Sequence, residues 1–182
     1  MDERQIMEAI REARKGISQY LNIMELFPKV NVAEDSEFQL KFNAYYRVRQ
    51  RPAEWYAEYF SAMQRWKGSK PTFADVLDHL NQSLDKYEPS FASKLVATLD
   101  PNQPIWDKHV LKNTSTRQPS YTSIHKVEQA KVAYQDIQSW YRQFLCSDDG
   151  KLVVSVFDRE VPEHGKITSL KKVDFWLWKT RE

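Results

Sequence analysis

Glycine, cysteine and long apolar runs are what this chain has least of. Its 182 residues include only four glycines and one cysteine, Cys146. So little glycine argues against a glycine-rich β-sandwich and leaves no loop that could cradle a nucleotide phosphate. A lone cysteine excludes an intramolecular disulfide and any multi-cysteine zinc or iron–sulfur centre, and it suits a reducing compartment. Cys146 follows an apolar stretch at a helix end with no histidine close in sequence, so its expected role is buried packing. The four histidines, His79, His109, His125 and His164, stand singly, so no metal and no cofactor are expected. No Gly-x-Ser-x-Gly elbow and no dinucleotide fingerprint occurs. No apolar run approaches a membrane span, and the opening MDERQIMEAIREARKG is charged from Asp2 onward. The expectation is a soluble, cytoplasmic protein with no membrane partner.

What is present fits a folded globule. The chain is 41% hydrophobic and 29% charged, and 13% of it is aromatic, including six tryptophans. Its length suits one domain, 1–182, with enough residues to bury a core. The net charge of +2 does not by itself imply a nucleic-acid partner. Its distribution is less even. Between positions 41 and 70, Lys41, Arg47, Arg49, Arg51, Arg65, Lys67 and Lys70 face only Glu54 and Glu58, with Tyr45, Tyr46, Trp55, Tyr56, Tyr59 and Trp66 interleaved. Such a stretch can grip phosphates and stack bases, or be an amphipathic helix with its polar face in water.

Apolar spacing predicts helices along most of the chain. Ile6, Ile10, Ala13, Ile17, Tyr20 and Met24 mark a first helix over 3–26, with a possible break at Gly16. A second, capped by Ser36, carries Phe38, Phe42, Tyr45 and Tyr46. Pro52 opens a third at its first turn. Thr72 with Asp75 reads as an acidic variant of the capping box before FADVLDHLNQSLDKY. A long helix runs from Ile124 through Val132 to Phe144. The segment GKLVVSVFDREV fits a helix or a strand; helix is preferred, with a short C-terminal strand pair as the alternative. Thr168 or Ser169 caps a last helix. The expected fold class is all-α, with helices from both ends of the chain packed together.

The most informative stretch is EPSFASKLVATLDPNQPIWDKHVLKN, residues 88–113. Pro89 and Ser90 are helix-start residues, and Phe91, Ala92, Leu95, Val96 and Leu99 form an apolar face. Pro101 and Pro104 stiffen a loop that ends at Trp106, expected to pack on Leu111, and at Asp107, the cap of the next helix. A carboxylate there accepts backbone amides at the positive end of a helix, which favours its ionised form.

The helix SFASKLVATL, the proline-bearing loop and IWDKHVLKN together resemble the core of the helix-hairpin-helix DNA glycosylases, an all-α family. Asp107-Lys108-His109-Val110 matches the family's catalytic aspartate context, and Lys94 before LVA matches the lysine of its bifunctional members. The resemblance covers about 25 residues and implies Asp107 and Lys94 as catalytic residues. It implies Ser93, Lys108 and His109 as nucleic-acid contacts, joined by Arg47, Arg49 and Arg51, with DNA as partner and base excision as activity. The hairpin turn KYEPSFAS lacks the family's Gly-x-Gly. That absence keeps open a second reading, a non-catalytic helical protein-interaction module that retains the scaffold and binds a protein or a nucleic acid without chemistry, with a homo-oligomer left open.

Overall fold

In the computed structural model, described here for residues 1–180, every regular element is helical. The expected domain ends at 182, and its last two positions lie outside the described residues. Helix α1 spans Glu3–Leu26, begins at an Asp2 cap and buries Ile6, Ile10, Ala13, Ile17, Tyr20 and Ile23. Gly16 does not interrupt it, because a helical residue there meets only the ring of Phe175. Helix α2, Ser36–Tyr46, is capped by Asp35 rather than Ser36. Helix α3, Ala53–Arg65, starts after Pro52, which stands at the cap and not inside the first turn. In α4, Phe73–Leu84, Thr72 and Asp75 form the reciprocal capping box.

Helix α5 covers Pro89–Leu99 and the short α6 covers Lys108–Asn113. Helix α7 is Lys126–Cys146 and α8 is Asp148–Glu160. No strand occurs among the described residues, so the C-terminal strand-pair alternative gives way to α8. Its β-branched residues sit at helical spacing, with Val153, Val156 and Phe157 turned inward. Burial of that face outweighs β propensity. Helix α9, Ser169–Leu177, is capped by Thr168.

One buried cluster collects apolar side chains from all nine of these helices. Helix α1 packs on α2, α8 and α9, which brings the two ends of the chain together as expected. The α7–α8 corner is the tightest place in the fold. Ser147 caps α8 through its hydroxyl, and a Cβ on Gly150 would stand 1.9 Å from the carbonyl oxygen of Phe144. Two expectations fail nearby. Cys146 is exposed at the end of α7 rather than packed. The long helix begins at Lys126, leaving Ile124 outside it and 91% exposed, while Val132 faces solvent from within it. Among the described residues no helix is long and apolar enough to cross a membrane.

Candidate active site

The hairpin of α4 and α5 turns without glycine because Asp85 occupies the left-handed region, at φ 49°. The short polar side chain of an aspartate tolerates that region better than most. Helix α5 then runs beneath a loop, 100–107, that is tied down along its length. The Tyr134 hydroxyl donates to the Pro104 carbonyl at 2.8 Å, and Thr168 donates to that of Pro101 at 2.8 Å. Trp106 stacks parallel to Phe73, which in turn stacks on Tyr134.

Ser93 is fully buried beneath this loop. Its hydroxyl donates to the Ser90 carbonyl and accepts the Trp106 amide at 2.8 Å. Both bonds are internal, so Ser93 staples the loop to α5 and offers no free group to a nucleic acid. That corrects the contact expected of it.

The loop delivers Asp107 to the start of α6. One carboxylate oxygen accepts the amides of His109 at 2.8 Å and Val110 at 2.9 Å. Those bonds favour the ionised form, yet burial dominates and raises the carboxyl above its ordinary value, helped by the charge of Asp174. Lys108 is exposed and His109 half-buried beside it.

Lys94 lies one helix away on α5. Its ammonium donates to the Tyr46 carbonyl at 3.3 Å and sits 4.6 Å from the centroid of the Phe91 ring. Among the described residues no carboxylate forms an ion pair with it. Burial pushes the amine down to about 8, against the opposing pull of Asp107 first and Glu88 second. Among the charges near it, Asp107 acts most strongly on Lys94, with no ion pair or hydrogen bond between the two among the described residues.

The basic stretch follows directly on Tyr46. Arg47 closes α2 in the left-handed region and Gln50 repeats that conformation three residues later, so the loop bends sharply beside the Tyr46 carbonyl. Arg47 and Arg49 are exposed. Arg51 is not: its guanidinium grips Glu88 at 2.9 and 3.0 Å and lies over Trp55 and Phe91. Sequence reasoning found the arginine row but not this partner, 37 positions away.

A second set of ionisable groups was also missed. Lys171 and Asp174 on α9 are almost wholly buried and paired at 2.6 Å, and Tyr141 donates to the other carboxylate oxygen at 2.9 Å. The rings of Tyr20, Phe175 and Trp178 surround the Lys171 ammonium. Lys171 and Asp174 at i and i+3, beside Lys172 in the largely apolar SLKKVDFWL, were the available signal.

A groove of about 660 Å³ opens elsewhere, between the end of α7, α8 and the start of α9. Its charged groups already have partners: Asp158 holds Lys172, Arg159 holds Glu3 and Lys151 faces Asp148. Chemistry needs an unpaired, perturbed group more than it needs volume, which places the candidate site at Lys94 and Asp107. Among the described residues no group of acidic, histidine or cysteine side chains could hold a metal ion. Compared with known proteins, the chain matches no family model, no curated sequence and no solved structure.

Proposed function

We propose that this chain is a DNA N-glycosylase with lyase chemistry, in which Lys94 is the nucleophile and Asp107 the carboxylate that supports a positively charged sugar. One observation carries the reading: the half-buried Lys94 ammonium rests on the Tyr46 carbonyl and the Phe91 ring with no ion pair among the described residues, and burial pushes the amine down to about 8. At pH 7 such an amine is neutral ~10% of the time, against ~0.03% for an ordinary lysine. Only the neutral form can attack.

In the reaction, the Lys94 nitrogen bonds to the sugar C1′ as the bond from C1′ to the base breaks. The base leaves with the electron pair and takes up a proton. The substituted nitrogen then loses a proton, its lone pair forms the C=N bond as the C1′–O4′ bond opens, and O4′ takes up a proton, leaving a protonated imine. Asp107 offsets the charge that develops on the sugar during the first step. The target base leaves the stack to expose C1′. The exposed Arg47 and Arg49 supply phosphate contacts, which are salt-dependent. Lys108 and His109, directly after Asp107, supply the remaining contacts.

The test is borohydride trapping on a short duplex carrying an abasic site, beside anisotropy measurements on abasic and undamaged duplexes at two salt concentrations. The expected result is a covalent adduct lost in Lys94→Ala, with salt-sensitive preference for the abasic duplex. Base release from a damaged duplex slows in Asp107→Asn. No adduct and no preference would refute the reading and leave the non-catalytic helical module.

A further inference from the structure

Glu88 stands at the start of α5 but makes no capping bond; its carboxylate turns instead to Arg51. What the turn achieves is visible in the rings. The Arg51 guanidinium, held by both carboxylate oxygens, lies 4.9 Å from the centroid of Phe91 and 5.3 Å from that of Trp55. Trp55 stacks on Tyr59, and the Tyr59 hydroxyl donates to the Phe91 carbonyl at 2.9 Å. Phe91 is therefore fixed by its ring and by its backbone. Lys94, one turn along α5, rests on that same ring, so two cations share one aromatic side chain.

We infer that the Arg51–Glu88 ion pair is a positioning device for Lys94, holding the ring on which the amine rests and setting how readily the amine reacts with carbonyl carbons. The inference rests on taking Lys94 as a nucleophile but not on the identity of its substrate. The charged and titratable groups around the amine come from four places. Tyr46 lies at the end of α2, Arg51 in the following loop, Glu88 at the start of α5 and Asp107 at the start of α6. Arg51 disfavours a positive charge on Lys94, and Glu88 and Asp107 favour it.

Removing either member of the pair therefore moves Lys94 in opposite directions. Arg51→Gln deletes the repelling cation and leaves the Glu88 anion unneutralised, and both changes favour the ammonium. Glu88→Gln deletes an attracting anion and frees the cation, and both changes favour the neutral amine. A role confined to holding the fold together would move both variants the same way or neither.

The experiment uses formaldehyde with cyanoborohydride on the full chain, following methylation at Lys94 by peptide mass spectrometry from pH 6 to pH 10. The amine adds to the aldehyde carbon, water leaves, and hydride from the reagent reduces the imine. Circular dichroism confirms that each variant is folded. Half-maximal labelling of the unaltered protein is expected near pH 8, where burial places the amine. At pH 7.5, labelling is expected to fall about threefold or more in Arg51→Gln and to rise in Glu88→Gln, since a tenfold change corresponds to one pH unit. Shifts in the same direction in folded variants, or none, would overturn the inference. So would a Lys94 profile like that of an exposed lysine. Failure to trap DNA with these shifts intact would overturn only the glycosylase reading.

Discussion

Lys94 should weaken the fold at neutral pH, and replacing it with methionine should strengthen it. Methionine keeps a long, unbranched side chain on α5 and removes the charge. The interval between about 8 and the ordinary lysine value of 10.5, at about 1.4 kcal/mol per tenfold step, puts the cost of the buried ammonium near 3 kcal/mol. Residual water contact, the lost bond to the Tyr46 carbonyl and the lost ring contact return about 1 kcal/mol. Lys94→Met is thus expected to be stabler by about 2 kcal/mol at pH 7. The sign follows from proton counting. Between pH 8 and 10.5 the unfolded chain binds more protons at this position than the folded one, so the penalty is whole below pH 8 and disappears as pH rises through 10.5. Urea denaturation of both proteins from pH 6 to pH 10.5, read as a difference, cancels the titration of the buried tyrosines. A variant that is neutral or weaker at pH 7, or a difference that does not shrink with pH, would refute the placement of Lys94.

Two further perturbations test the packing. Gly150→Ala should destabilise by roughly 3 kcal/mol or more, because its Cβ would overlap the Phe144 carbonyl and the α7–α8 corner must open. Gly16→Ala, with open space to 4.0 Å, should stabilise by about 0.5–1 kcal/mol, and thermal melting of both variants checks the pair. Lys171→Met strands the Asp174 carboxylate and should cost about 3–5 kcal/mol in urea denaturation. Adding Asp174→Asn should recover part of that loss, and no recovery would show that the pair is not coupled.

How much of this was legible in the sequence depended on how far apart the interacting residues lie. Helices α1, α4 and α9 could be read because their apolar positions repeat within a few residues and their caps, Thr72 with Asp75 and Thr168, sit at the boundary itself. Residues 150–161 were ambiguous because their valines favour a strand while Val153, Val156 and Phe157 fall at helical spacing, and only a partner face decides between the two. Ser93 could not be placed because its hydroxyl is occupied by Trp106, 13 positions later. Cys146 and Ile124 were misplaced for a related reason: each ends an apolar run, and the run stops facing the core one turn before it stops being apolar. At the site, the Asp107 cap was legible as a local signal. The net effect on its carboxyl was not, because desolvation depends on everything packed around it.

The molecule contains its own control for the functional reading. Two lysine–aspartate sets lie in this part of the fold, Lys171 with Asp174 buried and Lys94 with Asp107 half-buried, and Asp174 acts on Asp107. In the first, the ammonium and carboxylate meet at 2.6 Å and the remaining oxygen is bonded to Tyr141. That is how a fold satisfies buried charge when the charge has only structural work. In the second, the lysine is left with one long bond to a carbonyl, and the aspartate is turned toward two amides. Burial disfavours the charged form of each. The loop that carries Asp107 is stapled by Ser93, Tyr134 and Thr168. Lys94 and Asp107 therefore lack the mutual ion pair that satisfies Lys171 and Asp174, and that difference is what trapping at Lys94 tests.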